Sequence, residues 1–300
     1  MQNIINTILS RHSDLFGSDA SAQRINIGFT NTIYSVNKAY IVKICTNPSK
    51  EAGFVKEIKF YNSQKADSLF PKMYFADTSK KEIPYCYEIL QQLDGVSLYN
   101  VWHTFDESLR EDIIRQLCEI IKTVHAGGDK YDWCAYNKGQ FLPLLEKANE
   151  NNLFDSDETA LLEKACSLFD TYLDSDDFVT VHNDLHFDNI IYKNGKIHLI
   201  DFERSVIAPR DFELDILYRM VRKPWKFASE EAEEYTHPDQ YKNIMMYAQK
   251  YYPQLFQTPH LYQRLAIYDM IYFFKQYVNA PQYPDLKDDV MAAVRIIIEQ

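Results

Sequence analysis

Residues 179–202 read VTVHNDLHFDNIIYKNGKIHLIDF, and they hold the densest set of side chains able to do chemistry. His182, Asp184, His186, Asp188 and Asn189 occupy a polar loop that follows the β-branched Val179 and Val181, and Asp201 comes near the end. Two apolar runs, Ile190-Ile191-Tyr192 and Ile197-His198-Leu199-Ile200, flank Asn194-Gly195. Asn-Gly in that setting predicts a hairpin, because a type I′ turn needs positive φ at both central residues. With that turn, Asn189 faces Ile200 and lies beside Asp201. Facing residues sit roughly 4.5–5.5 Å apart and diagonal ones about 7–8 Å, so an amide oxygen and a carboxylate reach one spot. Asp184 stands on the loop just before it. Hard oxygen donors without cysteine suit Mg²⁺, which takes one or two protein groups and leaves its other positions to water and phosphate.

A second chemical feature lies upstream. Lys43 is centred in the apolar run Tyr40-Ile41-Val42-Lys43-Ile44, where a charge is costly without a partner. Glu57, fourteen residues on, lies in a segment (residues 54–61) whose apolar groups have helical spacing. Glu51 is the alternative partner, closer to the strand end.

The order of these residues resembles the aminoglycoside phosphotransferase and choline kinase family, the kinase-like small-molecule phosphotransferases. Their signature H-G-D-x-H-x-x-N, a short hairpin and I-D-F or I-D-W stands here as residues 182–189 and Ile200-Asp201-Phe202. Asn183 replaces the usual glycine and Phe187 the usual proline. The resemblance implies Asp184 as the base that accepts the substrate hydroxyl proton, with Asn189 and Asp201 as Mg²⁺ ligands. It implies Lys43 on the α- and β-phosphates of ATP or GTP, paired with Glu57. It further implies a phosphate-covering turn at Gly28, Thr30 and Asn31, and a hinge that meets the adenine edge through the backbone of Gln91 and Leu93. A family aspartate that braces the catalytic loop matches Asp215 best, with Asp211 as the other choice. Glu203 takes the place of the protein kinases' third-motif glycine. Only 13 residues separate Asp201 from Asp215 and no A-P-E follows, which leaves no room for the segment on which protein substrates dock.

The elements that must position these residues follow the same order. A short helix over 1–16 precedes two strands joined by the Gly28 turn, a tight turn at Asn37-Lys38 and the strand bearing Lys43. The helix of Glu57 and two further strands, over 71–76 and 85–90, complete a five-stranded antiparallel sheet. Residues 107–126 are the clearest helix, with Leu109, Ile113, Ile114, Leu117, Ile120, Ile121 and Val124 recurring at three and four, Asp106 as cap and Gly127-Gly128 as stop. A further helix is expected over about 157–173, and residues 216–300 read as helices rich in Tyr and Phe. The expected fold class is α+β, bilobal and protein-kinase-like: an N-lobe of sheet plus helix and a mainly helical C-lobe with a catalytic hairpin. The expected division is a nucleotide-binding lobe over 1–93 and a catalytic, acceptor-binding lobe over 94–300.

Composition narrows the partners. The chain has 300 residues, 46% hydrophobic, with a formal net charge of −11. Residues 1–93 carry a balance of +3 and the remainder −14, counted from the same sequence. Such an acidic surface disfavours nucleic acid and attracts cations. The N-terminus has no basic, apolar leader, no segment approaches the roughly 18 apolar residues of a membrane span, and no protein partner is evident. The five cysteines are odd in number and scattered without a C-x-x-C pair, which reads as reduced thiols and a cytoplasmic location. The expected activity is Mg²⁺-dependent transfer of a nucleotide γ-phosphate to a hydroxyl of a small, cationic molecule, with an aminoglycoside-type antibiotic first. A metabolic kinase for choline, ethanolamine, homoserine or a sugar is the nearest alternative, and an inactive nucleotide-binding relative is a third.

Overall fold

The computed structural model describes residues 1–25, 31–64, 69–228 and 230–299. Compact packing divides them into two units, Met1–Leu109 with Phe187–Ser205, and Arg110–His186 with Val206–Gln300. The division at residue 93 stays a proposal about which segment handles nucleotide and which handles acceptor.

The first unit is built on a five-stranded antiparallel sheet. Its order is Ala22–Ile25, Thr32–Val36, Tyr40–Ile44, Tyr87–Gln91 and Met73–Asp77. Alternation makes the sheet two-faced: Thr32, Tyr34 and Val36 are buried while Ile33 and Ser35 are less so. Asn37 and Lys38 both have positive φ (53° and 54°), the geometry of a two-residue hairpin turn. One face packs on the N-terminal helix Gln2–Arg11 through Ile5 and Ile8 against Tyr34, Val36, Val42, Ile44, Tyr87 and Ile89. The helix Glu51–Ser63 lies near the sheet, its Phe54 and Ile58 packed with Cys45 and Cys86. Register sets Lys43 opposite Ile33 on one side and opposite Glu88 on the other.

The Asn-Gly hairpin belongs to this unit. Ile190–Lys193 pairs with Lys196–Leu199 in the register expected from the Asn-Gly turn, Ile190 facing Leu199. Asn194 and Gly195 have φ of 48° and 80°. The Ile200 N–H donates to the Asn189 carbonyl at 3.0 Å, which fixes Asn189 at the base of the ladder.

The second unit is mainly helical. A two-stranded ribbon, Phe178–Val181 with Val206–Pro209, sits among helices that include Trp133–Glu150, Ser156–Ser167, Leu214–Arg222, Leu261–Asn279 and Pro284–Ile298. Phe141, Phe169 and Phe274 are fully buried and meet ring to ring, Phe141 lying 5.7 Å from Phe169 and 5.4 Å from Phe274. The helix expected over 157–173 is two, Ser156–Ser167 and Phe169–Tyr172. Helix Trp133–Glu150 was not foreseen. Pro143 stands inside it, and Asp132 caps it by accepting the Ala135 N–H. Among the described residues no helix is long and apolar enough to cross a membrane.

Candidate active site

Lys43 is the centre of the charged cluster in the first unit. Its strand places it 6% exposed, and its ammonium lies 2.5 Å from Glu57, 2.8 Å from Glu203 and 3.4 Å from Asp201. Burial pulls the Lys43 pKa down, but Glu57, Asp201 and Glu203 outweigh it and hold the group well above its ordinary value. Lys43 is therefore a fixed cation. Glu57 comes from the buried side of helix Glu51–Ser63 and is itself 1% exposed. Burial pushes the Glu57 carboxyl up, against the downward pull of Lys43. Glu51, the alternative partner, pairs instead with Lys80.

The segment that carries Asp201 is held by the same helix. Tyr61 takes the Asp201 N–H through its hydroxyl at 3.2 Å, Glu57 takes the Phe202 N–H at 3.2 Å, and Lys56 donates to the Ser205 carbonyl at 2.8 Å. Phe60 stacks on Phe202 with centroids 3.6 Å apart. Gly53 allows a close approach: a Cβ there would come within 2.8 Å of the Glu203 carbonyl oxygen. Asp201 has φ of +64°, a left-handed backbone that turns its side chain out of the strand path. Its side chain is 37% exposed, against 1% for Glu57 and 9% for Glu203.

Two carboxyls in this cluster were not foreseen as neighbours of Lys43. Glu203 pairs with Lys43 and accepts from the Asn31 side-chain amide. Glu88 is fully buried beside Lys43, and its carboxyl is pushed well above the usual range, by burial first and then by Glu57, against the opposing pull of Lys43. The strand register was the available signal for Glu88, since it faces Lys43 across the sheet.

Of the remaining sequence candidates, Asn189 is 7% exposed at the start of the hairpin. Gly28 and Thr30 lie outside the described residues. The Gln91 N–H is taken by the Lys72 carbonyl at 2.7 Å, and Leu93 lies two residues beyond the strand end, in an irregular segment.

Asp184 is in the second unit, its side chain 13% exposed and 3.7 Å from His186 Nε2. Its own N–H donates to His182 Nδ1 at 3.2 Å. The loop backbone is braced by Glu213, which accepts the His182 N–H at 2.9 Å and the Asn183 N–H at 3.4 Å. His125 Nε2 donates to the same carboxylate at 2.9 Å, and its Nδ1 meets the Tyr252 hydroxyl at 2.9 Å. Glu213 is a brace that was not expected, where Asp215, with Asp211 as the other choice, was named for that role. Asp215 pairs with Arg219, and Asp211 pairs with Arg264 and the Tyr268 hydroxyl. His125 is part of the bracing through its contact with Glu213.

A family model described as the phosphotransferase enzyme family matches residues 21–243. The chain belongs to that family. No curated protein matches it in sequence. Among solved structures it is similar to the ADP-bound aminoglycoside phosphotransferase APH(2'')-Ib, with TM-score 0.66 and 13% identity over 98% of this chain and 97% of that one. A thermostable variant of APH(4)-Ia with AMP-PNP and hygromycin B gives TM-score 0.66 and 16% identity over 98% and 100%. A GDP and kanamycin complex of an APH(2'') enzyme gives 0.62 and 14% over 100% and 98%. Such likenesses establish the fold, the kinase-like one of the aminoglycoside phosphotransferases, and the antiparallel sheet with its mostly helical remainder agrees with it.

Proposed function

We propose that the chain transfers the γ-phosphate of ATP or GTP to a hydroxyl of a small cationic molecule, an aminoglycoside-type acceptor first. The observation that carries the reading is Lys43, buried and charged between Glu57 and Asp201, within the residues the family model matches. Lys43 holds the α- and β-phosphates, and Glu57 fixes the ammonium in place. The carboxyl oxygens of Glu57, Asp201 and Glu203 lie within 4.8 Å of one another, and Asp201 is the one whose side chain opens to solvent. That all-oxygen set fits a hard cation at Asp201, and the family resemblance adds Asn189 as the second residue that would hold Mg²⁺. When bound, the cation neutralises charge on the phosphate oxygens. Asp184 orients the acceptor hydroxyl and takes its proton, and Glu213 keeps the Asp184 loop in shape. The Gln91 carbonyl and the Leu93 backbone supply the nucleobase contact, and Asn31, with Gly28 and Thr30, covers the phosphates. The cationic acceptor is supported by the −14 balance of residues 94–300 and by the aminoglycosides named with the similar structures, kanamycin and hygromycin B.

The test is nucleoside-diphosphate release with Mg·ATP and Mg·GTP across kanamycin- and gentamicin-class aminoglycosides, a macrolide, choline, ethanolamine, homoserine and methylthioribose. Turnover on an aminoglycoside alone is the expected result. Turnover on a metabolite alone would make this a metabolic kinase, and nucleotide binding without turnover on a broad acceptor set would favour the inactive relative. Asp184→Asn is the blank: it should abolish release with nucleotide affinity near wild type, and retained turnover would remove Asp184 as the base.

A further inference from the structure

An ammonium has three N–H donors, and Lys43 has three carboxylates around it: Glu57, Glu203 and Asp201. A phosphate oxygen can bond Lys43 only if one of them yields. Glu57 is the least able to move, because it is 1% exposed and also accepts the Phe202 N–H. Asp201 is at the longest distance, 3.4 Å, and gives Lys43 the least to lose. Glu203 is different. At 2.8 Å it is a close partner, and its backbone is pinned against Gly53 while its carboxylate sits on a rotatable side chain.

We propose that Glu203 is a positioning residue that stands in for phosphate on Lys43, and that it makes nucleotide binding conditional on a divalent cation. This rests on the reading of Lys43 as the phosphate-holding lysine. Without nucleotide, Glu203 and the Asn31 amide that donates to it hold Lys43 ready and neutralised. When a triphosphate takes Lys43, the Glu203 carboxylate loses its cation and faces the phosphate's negative charge. A divalent cation beside Asp201 restores a counter-charge, because the Glu203 and Asp201 oxygens lie within 4.8 Å of each other. Metal-free nucleotide therefore meets a competitor that metal-bound nucleotide does not.

The experiment is equilibrium binding of ATP to the whole protein in EDTA and in saturating Mg²⁺, with thermal unfolding run beside it. Glu203→Gln should tighten binding in EDTA by about tenfold, the order expected for removing one charge-assisted competitor. The same variant should leave binding in Mg²⁺ unchanged or weaker, so the ratio of the two affinities falls by about tenfold. Glu203→Ser gives the same comparison should the glutamine variant not fold. A folded variant with the wild-type ratio overturns the inference, since a purely structural role would shift the unfolding temperature and leave the ratio alone. Lys43→Ala separates the two levels. If it weakens nucleotide binding while the Glu203 ratio stays put, the inference alone falls; if it binds as wild type, the site reading falls and takes the inference with it.

Discussion

Glu88 should make the protein less stable as pH rises through the neutral range, and Glu88→Gln should remove that loss. The residue is fully buried in the strand next to Lys43, with Glu57, Glu203 and Tyr61 also within electrostatic reach. Burial holds its folded pKa well above the unfolded value, which is about 4.3. For an acid shifted upward, the unfolded chain binds fewer protons than the native one between the two pKa values. Stability is thus full below about pH 4 and falls by about 1.4 kcal/mol per pH unit until the folded pKa is passed. Each pH unit over which the folded protein retains that proton amounts to about 1.4 kcal/mol. Glutamine has nearly the same shape, donates a hydrogen bond as the protonated acid does, and has no such dependence. The unfolding temperature of Glu88→Gln minus that of wild type should therefore widen by about 3 °C for each such unit, taking about 2 °C per kcal/mol for a chain of this size. Differential scanning fluorimetry at half-unit pH steps reads it directly. A gap that stays constant with pH would mean Glu88 is ionised in the folded protein, and the reasoning would be wrong.

Two further substitutions separate bracing from chemistry. Glu213→Ala strips the acceptor from the buried His182 N–H and from His125, each unpaired donor costing about 1–3 kcal/mol. Stopped-assay turnover should collapse while ATP affinity stays near wild type, because Lys43 and Asp201 belong to the other compact unit; equal losses in both would refute the separation. Gly53→Ala sets two effects of opposite sign against each other. Alanine gains about 1 kcal/mol as a helix former, but its Cβ would sit 2.8 Å from a backbone oxygen of Glu203, and overpacking of that kind costs about 1–3 kcal/mol. A lowered unfolding temperature, with weaker Mg²⁺-dependent ATP binding, is the expected result. A raised one would show that the helix does not press on this segment.

The parts of the site that were legible in the sequence are those fixed by short-range geometry. Asn194-Gly195 dictates its turn, the turn dictates the register, and the register puts Asn189 beside Ile200 without help from the rest of the chain. Lys43 was legible because a lysine in an apolar strand must find a partner, and helical spacing offered Glu57. Glu213 escaped because the brace is an acceptor reaching buried N–H groups from a 3₁₀ turn, Arg210–Glu213, and three acids stand there at alternate positions. Asp211, Glu213 and Asp215 differ only in which way the turn points them, and that depends on Arg264 and Arg219, which claim the outer two. Helix Trp133–Glu150 escaped for a related reason. Pro143 argues locally against a helix, and the packing of Phe141 on Phe169 and Phe274 overrides it.

The two departures from the family signature show what the signature positions demand. Asn183, in the place of glycine, has φ of +59°, a left-handed conformation that asparagine tolerates better than most residues. The demand at that position is for the backbone angle, and it is met with a side chain present. Phe187, in the place of proline, is fully buried, its ring 4.7 Å from Trp102 and 5.3 Å from Tyr99. There the rigid φ of proline is exchanged for packing, which anchors the 3₁₀ turn Phe187–Asn189 in the core of the first unit. Asn189 is the last residue of that turn, so the buried ring helps to hold its backbone, together with the bond from the Ile200 N–H. Glu203, which stands where the protein kinases have glycine, is of another kind. No glycine-only backbone angle is at stake there, and what changes is charge, one more carboxylate on a lysine that already had two. Backbone demands at Asn183 and Phe187 are met by other means, whereas Glu203 acts through the electrostatics at Lys43, which is why the nucleotide's dependence on metal is the property its removal is expected to change.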